Sequence, residues 1–329
     1  MKRFLFWKTA VLLLAIFCLV GVRAHGQGGS SEQPLTEKPA RRGENRGSIR
    51  SVTIPVTVKA DESRERREEF QQLSLTVLED GEPQQILSAR GADRAPLALS
   101  ILVQDDLISG VGNEIAPLAT FIRNLPAGSR VFVGYLRAGS LQTRQRFTND
   151  LERAAKSLRI PVGSPSAAPF NPYEQIYQGM KRFESLPAGT RRAALVISDG
   201  LDISRGIDSS TPGQSIDLQR AINEAQRRGV AVYTIYSPTV ITNNNRGLAA
   251  NAQSSLNRLT EETGGKSFYQ GLSAPVSFAP FLTDLNATLN RQFALTYLST
   301  HAQKGFHRLE VESVQSSVEI THPRGTFRQ

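Results

Sequence analysis

The hydrophobic positions between residues 97 and 298 follow two periodicities in turn. Short continuous apolar runs such as Leu97 to Val103 predict buried parallel strands, and the segments between them have the apolar spacing of helices, as in Asn113 to Leu125. Strands that alternate with helices predict right-handed crossovers and a sheet covered on both faces. We therefore predict an α/β fold over residues 96–299, with a mainly parallel, Rossmann-like sheet flanked by helices.

The same periodicities place the remaining elements of this domain. Further strands are predicted at 130–136, 193–198, 230–236 and 293–298, with an edge hairpin at 141–147. Further helices are predicted at 149–158, 173–186, 218–228, 254–263 and 278–290.

Alternating apolar and polar residues before and after this region predict half-buried strands. Alternation occurs at 52–58 and 73–77, and the turn signal Glu79 to Glu82 leads into a returning strand at 84–89. Two more strands are predicted at 307–312 and 317–321. We expect an N-terminal β module (51–95) and a C-terminal hairpin (300–329) to pack together as a small accessory sandwich beside the parallel sheet.

The first 24 residues have the layout of a secretory signal peptide. Three bases precede an uncharged, almost entirely apolar run from Ala10 to Val22, and the segment ends in Val22-Arg23-Ala24. The run is shorter than the ~20 residues that a membrane-spanning helix needs, so cleavage is favoured over the alternative of an uncleaved anchor. Residues 25–50 are polar and rich in Gly, and they predict a disordered linker.

Composition limits the chemistry and the partners of the exported protein. The one cysteine, Cys18, lies in the predicted signal, so the mature chain has no disulfide and no cysteine nucleophile. The formal net charge of +9 comes mostly from the first 50 residues, so it does not indicate a nucleic-acid partner. We expect a secreted or periplasmic protein with no stable membrane insertion after cleavage.

Several motifs occur in a fixed order in the α/β region. They are ALSILVQDDLISG (98–110), RRAALVISDGLD (191–202), RGVAVYTIY (228–236) and LTEETGGKSFY (259–269). Their order and spacing resemble the von Willebrand factor A-related domain family, in the form known from acidobacteria, and TVLEDGEPQQI (76–86) resembles the strand-turn-strand that precedes that domain. The resemblance covers the chain from about residue 51 to its end.

The resemblance implies a metal-ion-dependent adhesion site that uses Asp-x-Ser-x-Ser after the first strand, a Thr on a later loop and an Asp after the fourth strand. Such oxygen ligands suit Mg²⁺, and a vacant coordination position takes an acidic residue of the partner. Asp199 matches the last Asp. Two alignments of the first motif are open, and neither matches fully: they use Gln104, Asp106 and Ile108, or Asp105, Leu107 and Ser109.

The sequence therefore predicts a degenerate or remodelled site. Its candidate ligands for Mg²⁺ or Ca²⁺ are Asp105, Asp106, Ser109 and Asp199. The alternative is that Asp105 and Asp106 cap the following loop and helix and that Asp199 stabilises its own turn. No cofactor is certain from this pattern.

We expect the domain to bind a protein partner in the cell envelope rather than to catalyse a reaction. The expected contact surface is the loop rim of Gln104 to Asn113, Ser164 to Tyr173 and Asp199 to Gly213. One alternative is an exported metal-assisted hydrolase, which the absence of a histidine near Asp199 in the sequence disfavours. The other is a purely structural envelope protein.

Signal cleavage is directly measurable. Because the apolar run is short and ends at small residues, we predict a mature N-terminus near His25. Intact-mass analysis of the envelope fraction tests this. A dominant species that keeps residues 1–24 would contradict cleavage, and recovery of the protein in the cytosol would contradict export.

Overall fold

The computed structural model describes residues 49–60, 75–207, 210–313 and 318–329. The predicted signal peptide and nearly all of the predicted linker lie outside these residues. The first strand already begins at Arg50, so the linker prediction extends slightly too far. Within the described part of the chain, no helix combines the length and the apolar character needed to cross a membrane.

The described secondary structure runs through the chain in the following order. The strands are β1 (Arg50–Ala60), β2 (Leu75–Glu79), β3 (Glu82–Arg90), β4 (Leu97–Gln104), β5 (Arg130–Arg137), β6 (Ser140–Thr148), β7 (Arg191–Ser198), β8 (Ala231–Tyr236), β9 (Ser267–Phe268), β10 (Gln292–Ser299), β11 (Gly305–Ser313), β12 (Val318–Thr321) and β13 (Gly325–Arg328). The α-helices are α1 (Ile115–Arg123), α2 (Leu151–Lys156), α3 (Pro172–Lys181), α4 (Ile216–Arg228), α5 (Val240–Asn244), α6 (Arg246–Thr263) and α7 (Ala279–Asn290).

The central sheet confirms the predicted α/β fold. Its order is β6-β5-β4-β7-β8-β9, in which β4, β5, β7, β8 and β9 are parallel to one another and the edge strand β6 is antiparallel. Every residue of β4 is buried, because α1, α2 and α7 cover one face of the sheet while α3 and α4 cover the other. The continuous apolar run 97–103 therefore reflects burial on both faces.

A second sheet is larger than the accessory module that we predicted, and it takes one strand from the predicted domain. It is one antiparallel sheet of seven strands, ordered β12-β1-β10-β3-β2-β11-β13, and not a sandwich. Strand β10 lies between β1 and β3, so placing 293–298 in the parallel sheet was wrong. Its inward residues Leu295 and Tyr297 pack in the core of this sheet. A short apolar run does not encode which sheet it joins.

Close backbone contacts connect the second sheet to the amino-terminal ends of the parallel strands. Gly229 ends α4 in the left-handed conformation, with φ of 60°, just before β8. A Cβ atom at this glycine would lie 2.2 Å from the carbonyl oxygen of Thr53 in β1. Only glycine fits there, since both the backbone angle and the space exclude a side chain.

Arg191 lies at the same, amino-terminal end of the parallel strands. It is the first residue of β7 and is fully buried, and its guanidinium donates to the carbonyls of Ala95 (2.9 Å) and Leu289 (2.5 Å). Burial lowers the pKa of Arg191 to about 10, so the group is still charged at neutral pH. Ala95 lies just before β4 and Leu289 lies in the last turn of α7, so this side chain ties the start of β7 to the segments around it.

We predict that Arg191→Ala lowers the free energy of unfolding by about 3 kcal/mol, because it removes the hydrogen bonds to two buried carbonyls and opens a cavity. Arg130→Ala is the matched control, since Arg130 begins the neighbouring strand β5 but is exposed, and it should change stability by less than about 0.5 kcal/mol. Urea unfolding followed by circular dichroism measures both. Equal effects of the two substitutions would contradict the role of Arg191.

Candidate functional site

The carboxyl-terminal ends of the parallel strands carry four neighbouring segments, which we call the rim. The rim consists of 105–114 after β4, 157–171 between α2 and α3, 199–215 after β7, of which 208 and 209 are not described, and 237–245 after β8. Main-chain hydrogen bonds connect these segments: Gly163 N to Asp105 O (2.9 Å), Ile108 N to Pro238 O (3.2 Å) and Ile203 N to Phe170 O (3.1 Å). The rim is thus a set of loops bonded to one another on a rigid sheet.

The side-chain amide of Gln104 bridges the ends of two adjacent parallel strands. Its Oε1 accepts hydrogen bonds from the Ser198 hydroxyl and from the backbone N–H of Asp199 (3.3 Å). Its Nε2 donates to Oδ1 of Asp106 (2.8 Å). The backbone N–H only donates, so the amide oxygen must face it and the amide nitrogen must face the carboxylate. Gln104 therefore holds Asp106 and Asp199 on either side of one amide.

The carboxylate of Asp199 is buried and fully engaged by the protein. Its Oδ1 accepts from the backbone N–H of Leu201 (3.1 Å), and its Oδ2 accepts from the hydroxyls of Thr239 (2.7 Å) and Thr242 (3.3 Å). Burial raises the pKa of Asp199, and these hydrogen bonds oppose that rise without cancelling it. Gly200, at φ of 74°, permits the turn because a Cβ there would lie 2.5 Å from Leu256.

Thr239 and Thr242 are functional neighbours that the sequence analysis missed. They form a reciprocal capping box at the start of α5, directly after β8. The sequence alone assigned no residue to the threonine position of the adhesion-site pattern. A Thr-x-x-Thr pair following Pro238 at the end of a predicted strand is the signal that points to them, because parallel strands end at the same edge of the sheet.

Asp105 turns away from this bridge toward two arginines. Arg159 makes a bidentate pair with it (2.6 and 2.8 Å), and Arg137 adds a third contact (3.2 Å). The backbone N–H of Val162 donates a fourth hydrogen bond (3.0 Å). The guanidinium of Arg159 also lies over the ring of Tyr135, 4.1 Å from its centroid. Asp105 is thus a saturated, charge-paired anchor that ties the rim to β5 and to the end of α2.

Asp106 differs from the other two acids because it has fewer hydrogen-bond donors around it. Gln104 donates to Oδ1, the backbone N–H of Asp106 itself also bonds to the carboxyl group, and 8% of the residue is exposed. Burial raises the pKa of Asp106 to about 6; the Gln104 hydrogen bond lowers it, while the nearby charges of Asp199 and Asp105 raise it further. The pKa of this carboxyl group therefore lies well above the ordinary value of an aspartate.

The four candidate ligands do not form one donor set that fits a divalent cation. Asp106 and Asp199 share the Gln104 bridge, whereas Asp105 is bonded to two arginines and Ser109 is exposed at the start of the short 3₁₀ helix 109–114. A cation would have to compete with these arginines and with the hydroxyl donors on Asp199. In the described part of the chain, no cluster of three or more His, Asp or Glu side chains is arranged to hold a metal.

Large apolar side chains are exposed on three of the four rim segments, 157–171, 199–215 and 237–245. They are Ile160, Val162, Phe170, Ile207, Val240 and Ile241. On the fourth segment, 105–114, Gly112 lies against the side chain of Ile160. The side chain of Phe170 is exposed, and its backbone has φ of 57°, a conformation that bulky residues rarely adopt. Local strain of this kind persists where the surrounding structure enforces it, and it is common at functional sites.

No protein-family model and no curated protein matches the sequence. Among solved structures, the chain is similar to a conserved hypothetical protein, BatB, from Bacteroides thetaiotaomicron (12% identity, 59% of this chain and 96% of that one, TM-score 0.42). It is also similar to a von Willebrand factor type A protein from Catenulispora acidiphila (10% identity, 77% of this chain and 74% of that one, TM-score 0.43). A third similar structure is the manganese-loaded TRAP protein of Plasmodium vivax (10% identity, 77% of this chain and 99% of that one, TM-score 0.39). These likenesses are distant, and the α/β architecture is established by the strand order of the chain itself.

We predict that millimolar Mg²⁺ or Ca²⁺ leaves the melting temperature unchanged. A ligand that binds the folded state alone would raise it by mass action, but here the acidic side chains already have protein partners. Differential scanning fluorimetry with and without chelator measures this. A metal-dependent rise that Asp199→Ala abolishes would contradict the prediction and restore the metal site that the resemblance implies.

Proposed function

We propose that the protein is an exported, von Willebrand factor A-like binding protein whose rim docks a protein partner by direct contact, without a bridging cation. The exposed Phe170, held in a strained conformation between bonded loops, is the observation that carries the proposal. Apolar side chains on a rigid surface bind partners with little loss of conformational entropy. The envelope or extracellular location rests on the signal-like N-terminal sequence.

The strand order and the position of the acids support the link to the A-domain family. The acids follow β4 and β7, which are adjacent in the middle of the sheet, and parallel sheets bind ligands at this edge. The donor set around Asp105 and Asp199 supports direct docking, because these carboxylates are already bonded to protein groups. We propose binding rather than catalysis for the same reason: Asp105 and Asp199 are both held by several protein hydrogen bonds, which leaves them poorly placed to act on a reactant.

A pair of matched substitutions tests whether the rim is the docking surface. Phe170→Ser should reduce the capture of a partner from envelope extracts at least about tenfold, since buried aromatic anchors dominate interfaces. Phe306→Ser is the control, because Phe306 in β11 is similarly exposed (49%, against 56% for Phe170) but lies in the second sheet.

Capture is quantified by mass spectrometry of cross-linked complexes, with chelator present throughout. The direct-contact proposal expects the partner to be retained by Phe306→Ser and lost by Phe170→Ser. Equal capture by both variants would contradict docking at the rim, and capture that requires a divalent cation would contradict its metal-free mechanism.

A further inference from the structure

We propose that the connection 300–304 between β10 and β11 is a pH-dependent strap, which the protonated ring of His307 ties to the turn between β2 and β3. The strap loosens when this ring loses its proton. This device belongs to the second sheet, and it is independent of docking at the rim.

The strap passes the β2–β3 hairpin at its turn. In the strand order β10-β3-β2-β11, the hairpin lies between the two strands that the strap connects. The beginning of the strap is anchored by Thr300, whose N–H (3.1 Å) and hydroxyl (3.2 Å) donate to Oε1 of Gln84. Arg328 donates to the carbonyl of His301. Neither contact uses a group that titrates near neutral pH, so this end of the strap stays attached.

The end of the strap is held by His307, whose two ring nitrogens both face acceptors. The residue is 4% exposed, Nδ1 lies 2.7 Å from Oδ2 of Asp80, and Nε2 lies 2.9 Å from the carbonyl oxygen of Gln303. A neutral imidazole carries one N–H and one lone pair, so it can donate to only one of these oxygens. The imidazolium donates to both. The bridge between the turn and the strap therefore requires the second proton.

His322, which follows β12 in the same sheet, has a different pattern of contacts. Its Nδ1 faces the carbonyl oxygen of Pro323 (2.8 Å), and its Nε2 faces the backbone N–H of Val311 (3.4 Å). One nitrogen donates and the other accepts, which a ring with a single proton does. His322 is therefore a matched control, because its contacts do not need a second proton.

Three carboxylates, those of Glu79, Asp80 and Glu82, surround the rings of His307 and His301. Nδ1 of His301 lies 3.3 Å from Glu79, its Nε2 lies 3.6 Å from Glu82, and the two ring centroids are 5.5 Å apart. This excess of negative charge favours protonated rings. The other titratable or charged residues around the cluster are Arg50 of β1, Tyr297 of β10, the exposed Lys304 of the strap, the exposed Arg308 of β11, and Arg328 of β13.

The charges and hydrogen bonds set the pH range of the bridge. Burial alone would lower the pKa of His307, but its hydrogen bonds to Asp80 and Gln303 and the charges of Asp80 and Glu79 outweigh burial and raise the pKa above 6.5. Burial would raise the pKa of Asp80, but the hydrogen bonds from His307 and from the N–H of Arg308 lower it below 3.8. The bridge is therefore complete between these two values. It is lost as the pH rises through the pKa of folded His307, or falls through that of folded Asp80.

Hydrogen exchange of the full mature chain at about pH 5.5 and about pH 9 tests the strap, after correction for the intrinsic exchange rates. Peptides that cover 300–308 should lose protection about tenfold at the higher pH, which is the effect expected when a hydrogen bond to a charged group is lost. Peptides from β4, which contains no ionisable side chain, should keep their protection. NMR of the ring nitrogens should find two protons on His307 at about pH 5.5 and one at about pH 9.

Two glutamine substitutions assign the effect to one ring. His307→Gln removes the titrating group and keeps a hydrogen-bond donor, so its peptides 300–308 should be equally protected at both pH values. His322→Gln should retain the tenfold change of the wild type.

The wild-type measurements do not depend on the folding of a variant. Equal protection of 300–308 at the two pH values, or a His307 ring with a single proton at about pH 5.5, would overturn the proposal. So would a pH dependence that survives His307→Gln or that disappears in His322→Gln.

Discussion

The amide of Gln104 is the interaction on which the arrangement of the rim depends. It joins the ends of β4 and β7 by bonding Ser198 and Asp199 through one atom and Asp106 through the other. Buried polar groups are costly unless they are paired, so this one side chain makes it feasible to place two acids next to each other at the centre of the sheet edge. A neutral amide thus connects the carboxylate of Asp106 to the main chain at Asp199.

The surrounding contacts fix what remains available for binding. The arginine pair neutralises Asp105, and the capping threonines of α5 saturate Asp199. The main-chain bonds between the loops hold the exposed apolar side chains on a preorganised surface. At the other end of the parallel strands, Gly229 packs against Thr53 of the second sheet, and Arg191 ties the start of β7 to the last turn of α7.

Much of the fold was predictable because burial on two faces leaves a continuous apolar run, as in 97–103 and 193–198. The run at 293–298 was misplaced because pairing partners are not encoded in apolar character alone. The positions of Asp106 and Asp199 at strand ends were predictable. Their partners were not, since Arg159 reaches Asp105 from 54 residues away and Thr239 reaches Asp199 from 40.

The central claim is that the Gln104 amide, and not a cation, connects Asp106 to the end of β7 at Ser198 and Asp199. The most direct measurement is an anomalous difference map from a crystal of the mature protein soaked in millimolar Mn²⁺. The account predicts no peak between Asp106 and Asp199, with Gln104 Nε2 remaining on Asp106 and Oε1 on the Asp199 N–H. A strong peak at that position, with the Gln104 side chain displaced, would contradict it.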